Sequence, residues 1–346
     1  MKVLFILILL MGTLATLACE IRPQVRSTHV EAQKSQTKKR TDVVFIGGFD
    51  EGDNTYYTNA KVYFQQRGFM AVEGQFSAAE IITWLNAYGS TSLFGEIHIV
   101  SHSNAWRGMA LKTTANGDRI SLTSLVKAQE DKEFPKLKKG IDATTKVVFH
   151  SCGLGENTAL LRQLKRLFTA TQAPQVYASP YFNIFGGKYA SHYLAKPYYG
   201  FYPTAESPGP LALAAEFETN YPETTIDWFN ALKTREENQL GGVYTYKFNV
   251  PVVWEFTFDT TAEIPLFKDK DALMDWLTEN EQTASVLFEL GIPIEKYRWR
   301  TAVKGTTLTI KGKTSVLCVL QPILNENDPD GYRTVTVTDR ELYQIL

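Results

Sequence analysis

Five short apolar runs, each divided from the next by a segment of different periodicity, fill residues 42–190 and restrict this chain to few folds. The runs are DVVFIGGF from Asp42, FMAVEG from Phe69, EIHIV from Glu96, KVVF from Lys146 and PQVYAS from Pro174. The first, a continuous apolar run ending in glycines, suits a strand buried on both faces. Between them, NTYYTNAKVYFQQRG places Tyr56, Ala60, Tyr63 and Phe64 at helical spacing, with Gly68 to close it. SAAEIITWLNAYG carries a Ser77/Glu80 capping box and stops at Gly89. A further helix is expected from near Leu122. The last buries Leu160, Leu161, Leu164, Leu167 and Phe168. GMALKTTANGDRISL reads as a hairpin turning at Asn116-Gly117. Strands that alternate with helices need crossover connections, so the expected fold is a three-layer α/β domain with a mainly parallel sheet.

Beyond FYPTAESPGP the pattern changes, which divides the chain into an α/β domain over 42–205 and a C-terminal region over 206–346. TTIDWFNALKTREE, KDALMDWLTENEQ and TASVLFEL read as helices. GVYTYKFNV, VVWEFTF, TTLTIKGKTSVLCVL and YRTVTVT read as strands, with Lys311-Gly312 able to turn a hairpin. The result is a smaller mixed α+β unit, mainly antiparallel, whose role the sequence does not give. Cys318 lies within one of these apolar strands and reads as core.

The N-terminus MKVLFILILLMGTLATLACE is a secretory signal over 1–19: one early lysine, a short apolar run, then small residues. Its end, TLAC, resembles the lipobox of bacterial lipoproteins, with Thr16 where Leu is preferred. That resemblance implies lipidation of Cys19, export to the bacterial cell envelope, and a membrane anchor facing the periplasm or the outer surface. The other reading is ordinary signal cleavage with Cys19 removed. Residues 20–41 lack periodicity and read as a polar tether. The formal net charge of the 346 residues is -1, which gives no reason to expect a nucleic-acid partner. Cys152 and Cys318 are the only cysteines beyond the signal, too few for a disulfide scaffold. No spacing suggests a zinc site, and no metal or cofactor is expected.

In open parallel sheets, sites form outside the carboxyl ends of the strands. Two reactive side chains occupy such places. His102 follows EIHIV, and Cys152 follows KVVFH. If these strands are neighbours, the two groups meet in one cleft. The helix after Cys152 would favour thiolate over thiol. The Cys152 amide, at a turn with Gly153 and Gly155, could donate to an oxyanion. His98 and His150 lie within strands and read as core or edge histidines, and His192 belongs to no motif.

The segments EIHIVSHSNAWRGMAL, KVVFHSCGLG and PQVYASP together resemble the caspase-like, clan CD cysteine peptidases, the group of caspases, gingipains and legumain. The shared pattern is an apolar strand ending in small-His-Gly, a hairpin, then an apolar strand ending in small-Cys. The resemblance covers roughly residues 42–190. It implies a hydrolase in which His102 is the acid and base and Cys152 the nucleophile. The oxyanion hole would use the amides of Cys152 and Ser103, with Ser103 standing where the family usually has Gly. The implied partner is a peptide or protein substrate; the oligomeric state is open. In this family a charged residue in the loop after the first strand helps select the side chain before the cleaved bond. Here that loop is GGFDEGDN, so Asp50, Glu51 and Asp53 imply a preference for Lys or Arg.

Two rival functions stand beside this one. SHSNA is a degenerate nucleophile elbow that would make Ser103 the nucleophile of an α/β-hydrolase, although a hairpin pattern rather than a helix follows it. The other is a non-catalytic surface or periplasmic binding protein on the same scaffold.

Overall fold

The alternation of apolar runs and amphipathic segments folds into two sheets that share a core. The computed structural model describes residues 40–48, 50, 54–89 and 92–346. Cys19, the signal segment, the tether up to residue 39, Glu51 and Asp53 lie outside the described residues.

In chain order the elements begin with β1 (Arg40–Ile46), α1 (Thr55–Gln65), β2 (Met70–Glu73), α2 (Ala78–Tyr88) and β3 (Leu93–Val100). A small hairpin follows, β4 (Ser103–Asn104) and β5 (Gly108–Met109), then α3 (Leu122–Glu130), β6 (Lys146–His150), α4 (Thr158–Leu167) and β7 (Gln175–Ala178). The rest comprises β8 (Phe182–Phe185), β9 (His192–Pro203), α5 (Pro210–Asn220), α6 (Trp228–Ala231), β10 (Tyr244–Thr257), α7 (Lys270–Glu279) and α8 (Glu281–Leu290). Last come β11 (Arg298–Lys304), β12 (Thr307–Pro322), β13 (Leu324–Asn325), β14 (Asp328–Tyr332) and β15 (Gln344–Ile345).

The first sheet has the order β15-β7-β6-β3-β1-β2 and is parallel except for β15. Odd positions such as Phe45, Ile99 and Phe149 face α2, α3 and α4. Four leucines of α4 (160, 161, 164 and 167) are buried there, each contributing about 1.5–3 kcal/mol. On the opposite face Val44, Ile46 and Val100 pack on Tyr57, Ala60 and Phe64 of α1 and on Phe185 of β8. Val148 and Tyr177 meet Leu194 of β9 and Leu342 and Tyr343 of the C-terminal segment. The chain is therefore α/β with a mainly parallel sheet covered on both faces.

The second sheet is antiparallel, in the order β10-β12-β9-β8, with β11 also paired to β12. Because β9 precedes residue 205 and β12 follows it, strand pairing crosses the expected boundary at 205/206. The pairing of β15 with β7 crosses it again, and all described residues fall in one compact unit.

Three details of the C-terminal region differ from the sequence expectation. Lys311-Gly312 does not turn a hairpin but lies within the 16-residue strand β12. Gly312 is there because the Trp299 ring covers it: a Cβ would meet the ring at 2.3 Å. YRTVTVT contributes only Tyr332 to a strand; Val335 and Val337 pack on the cluster around Leu342 and Tyr343 without joining a ladder. The segment after SPG opens a helix, α5, with Pro210 at its start, a place that needs no N–H donor. The Asn116-Gly117 turn is present, closed by Thr113 N–H donating to Asp118 O at 2.8 Å. No helix among the described residues is long and apolar enough to cross a membrane.

Candidate active site

Three adjacent strands end level with one another. Val100 of β3 and His150 of β6 are register partners, as are Ile46 of β1 and Val100. Gly47 N–H donates to Val100 O, and Ser101 N–H to His150 O. The chains then diverge over the carboxyl end of the sheet, at the point where the strand order reverses, which is where open α/β sheets place ligands. β1 leads to Asp50 and Asn54, β3 to His102 and β6 to Cys152.

His102 is held on all sides. Its backbone N–H donates to the Tyr57 hydroxyl at 3.1 Å, which donates to Asp50 Oδ1 at 2.7 Å. Gly48 permits this approach, since a Cβ there would meet the Tyr57 oxygen at 2.0 Å. The imidazole stacks on Tyr56, with ring centroids 4.4 Å apart, and meets the edge of Tyr57. The Tyr56 hydroxyl in turn donates to His150 O at 2.9 Å. Asn54 caps α1, its Oδ1 accepting from Tyr56 N–H. Its Nδ2 lies 2.7 Å from His102 Nε2. With Oδ1 committed to the cap, Asn54 must donate to Nε2. The neutral ring therefore carries its proton on Nδ1. Burial holds His102 below the ordinary histidine range, with Asp50 opposing this and Arg119 assisting it.

Cys152 is 6 % exposed and bonds through Sγ to Asn183 O at 4.0 Å. Burial pushes its thiol up to about 12. The expectation of a thiolate at a helix N-terminus is not met. A tight turn at Leu154–Glu156 intervenes, and α4 begins only at Thr158. Desolvation then outweighs a helix end that is no longer adjacent. Gly153, which makes the turn, has φ +72°, where a side chain would be strained. Cys152 and Cys318 are both free thiols.

The two amides assigned to an oxyanion are favourably placed. Ala110 N–H donates to His102 O at 2.7 Å, which makes Ser103 and Met109 a non-hydrogen-bonded pair of the hairpin. The Ser103 N–H is thus not used by that ladder. The Cys152 N–H has no carbonyl acceptor among the described residues. Ser103 opens β4, and the next helix, α3, starts only at Leu122.

Two clefts meet at Ser103, Asn104 and Cys152. One, of about 490 Å³, is lined by His102, Asp50, Arg107, Arg119 and Tyr246 among others. The other, of about 500 Å³, runs between Trp106, Leu122 and Leu160 and the α8 residues Val286 and Leu290. Of the three carboxylates expected in the first cleft, Asp50 is present and engaged by Tyr57. Glu51 and Asp53 lie outside the described residues. Asn54, Arg107, Arg119 and the α8 wall were not assigned to the site from sequence. Asn54 was legible as the start of α1; its contact with His102 depended on the strand order.

No protein-family model matches the sequence, no curated protein matches it, and no solved structure matches the fold.

Proposed function

We propose that this chain is a caspase-like cysteine endopeptidase in which Cys152 attacks the carbonyl carbon and His102 protonates the leaving amine. The observation that carries this reading is the level exit of β3 and β6, which brings His102 and Cys152 into one cleft. Cys152 starts as a thiol and His102 as a neutral ring with its proton on Nδ1. The sulfur forms a bond to the carbonyl carbon, and the developing oxyanion is met by the N–H groups of Cys152 and Ser103. As the C–N bond breaks, the ring proton passes to the amine and the thiol proton replaces it. Water then hydrolyses the thioester. A neutral pair suits a buried sulfur, because no ion pair has to be formed away from water.

Endopeptidase action is supported by the two clefts that meet at Ser103, Asn104 and Cys152, which give room for more chain than a single residue. An α/β-hydrolase reading is disfavoured by the hairpin that follows Ser103, since a nucleophile elbow runs directly into a helix. We further propose export and anchoring through a lipid on Cys19, on the strength of the signal and TLAC sequence. One observation favours a non-catalytic binding protein instead: the low exposure of the Cys152 sulfur.

The test is hydrolysis of peptides by three variants. Cys152→Ala abolishes it and His102→Ala lowers it about 10²–10⁴-fold, whereas Ser103→Ala, which keeps its amide, retains it. Activity that survives Cys152→Ala but not Ser103→Ala transfers the nucleophile's role to Ser103.

A further inference from the structure

Below the candidate site, a polar chain crosses the sheet face that α1 and β8 cover. It starts at the surface, where Lys146 Nζ lies 2.9 Å from Glu96 Oε1. Glu96 Oε2 is 3.1 Å from His98 Nε2. His98 Nδ1 is 2.8 Å from His150 Nε2. His150 Nδ1 is 3.3 Å from Oδ1 of Asn183, the residue whose carbonyl bonds to Cys152 Sγ. His98, His150 and Asn183 are buried. Burying such groups is costly unless each bond is made, and the proposed chemistry uses none of these side chains.

We propose that His98, His150 and Asn183 are a positioning chain for Cys152. Both rings are neutral with the proton on Nε2, and the amide nitrogen of Asn183, rather than its oxygen, faces His150. The role assigned to the chain rests on Cys152 being the nucleophile.

The directions of the bonds follow from one end. Hydrogen bonds from His98 and Lys146 hold the Glu96 carboxyl down to about 2, so it is ionised and only accepts. His98 must then donate through Nε2, which leaves Nδ1 as an acceptor in a neutral ring. His150 must donate to it through Nε2, and its own Nδ1 becomes an acceptor. Asn183 can meet that acceptor only with its NH₂ group. With Oδ1 toward His150, Nδ2 is left buried with no partner among the described residues. Turning the amide over directs its two hydrogens at His150 Nδ1 and at His192 Nε2, 3.3 and 3.4 Å away. Oδ1 then takes the partnerless position and His192 carries its proton on Nδ1, so the flip rests on the bond directions that start at Glu96. Amide nitrogen and oxygen are told apart by such partners. Burial, the largest influence on both rings, keeps His98 and His150 below the ordinary histidine range, in keeping with two neutral rings.

The chain has something to position. Asn183 sits on β8, whose ladder among the described residues is with β9 of the second sheet. Backbone bonds from Gly153 N–H to Tyr181 O and from Gly155 N–H to Ser179 O tie the chain just before β8 to the exit of β6, and His150 adds a side-chain link to Asn183 itself. The His150 carbonyl also anchors Tyr56, on which the His102 ring stacks. One residue thus braces both members of the proposed dyad.

The experiment has a variant-free arm and a kinetic arm. Nitrogen NMR of the imidazoles in the wild-type protein at pH 7.5 is expected to show Nε2–H and bare Nδ1 for His98 and His150. Nδ1–H on His150, or an imidazolium at either ring, overturns the proposal. In the second arm, His150→Leu is expected to lower kcat about tenfold to a hundredfold with KM unchanged, and to speed alkylation of Cys152 by iodoacetamide. His150→Gln, which can still accept from and donate to its neighbours, restores part of both. A His150→Leu protein with wild-type alkylation and kcat overturns the positioning role. A wild type that cleaves no peptide, but shows the NMR pattern and the alkylation change, upholds the chain and sinks the peptidase reading alone.

Discussion

Val100 and His150 are register partners on adjacent parallel strands, and His102 and Cys152 each lie two residues beyond them. This fixed stagger, rather than any local motif, sets the two reactive groups over the same end of the sheet. Asn54 completes the arrangement from the neighbouring strand's loop.

Asn54 does two jobs with the two ends of one amide, and they can be separated. Asp caps a helix about as well as Asn but has no N–H to give. Asn54→Asp should therefore keep the melting temperature close to wild type. Its carboxylate demands a proton on His102 Nε2 and favours the charged ring, so the pH limb assigned to His102 should move upward. Asn54→Ala should cost about 1 kcal/mol of stability by losing the cap and should not move the limb upward. A pH–rate profile of the two variants, with thermal melts, checks this.

The buried histidines predict acid sensitivity. Burial lowers His98, His150 and His192, the last to about 3. Their folded values lie below the unfolded value of about 6.5. The stability they allow is therefore intact above about pH 6.5 and is lost as pH falls toward their folded values. Each proton taken up on unfolding steepens the loss by about 1.4 kcal/mol per pH unit. Glu96, lowered to about 2, adds its own loss only below about pH 4.5, and Glu156, raised by burial, works against the loss just above that pH, so the fall from about pH 6.5 to 5.5 reports mainly on the histidines. Urea unfolding should show stability level from pH 8 to 7 and falling from pH 6 to 5. His192→Phe should make that fall shallower; an unchanged slope would remove His192 from the account.

Gly312 lies inside β12 under the Trp299 ring rather than at a turn, and substitution distinguishes the two places. A side chain at a hairpin turn would cost little at a compatible φ. At a position roofed by Trp299 it must displace the ring. Gly312→Ala should destabilise by about 1–3 kcal/mol, and Trp299→Ala should relieve much of that penalty. Additive losses in the double mutant would place the ring elsewhere.

The substrate's charge is a further prediction. Among the described residues, the cleft holding His102 carries two guanidinium groups, Arg107 and Arg119, against one carboxylate, Asp50. An acidic side chain before the cleaved bond would meet Arg107 and Arg119, whereas the basic one expected from the loop sequence would meet Asp50. In a set of fluorogenic peptides varied at that position, Asp or Glu should outperform Arg, and Arg119→Gln should narrow the difference. An Arg preference lost on Asp50→Asn would restore the earlier expectation.

The parallel sheet was legible because its elements announce themselves locally: short apolar runs, and helices with visible starts at Asn54 and Ser77. His102 and Cys152 could be singled out because strand ends are where such sheets put chemistry. Less accessible was whatever depends on contact between distant segments. Gly312 looks like a turn until Trp299 is placed over it. The link between His98, His150 and Asn183 exists only because β8 of the second sheet lies beside β6. The walls formed by Arg119 and Val286 come from loops and helices whose sequences are ordinary surface sequences. The Cys152 thiol differs from its sequence expectation for the same reason: proximity to a helix start is readable in sequence, and the burial that outweighs it is not.

The central claim is that Cys152 is a nucleophile addressed by a peptide in this cleft. Its most direct measurement is mass-spectrometric labelling of the folded chain with a peptide bearing an electrophilic group at its carboxyl end. The account predicts a single adduct on Cys152, none on the buried Cys318, no adduct in Cys152→Ala, and slower labelling in His102→Ala. An unlabelled wild type, or equal labelling of wild type and Cys152→Ala, would contradict it.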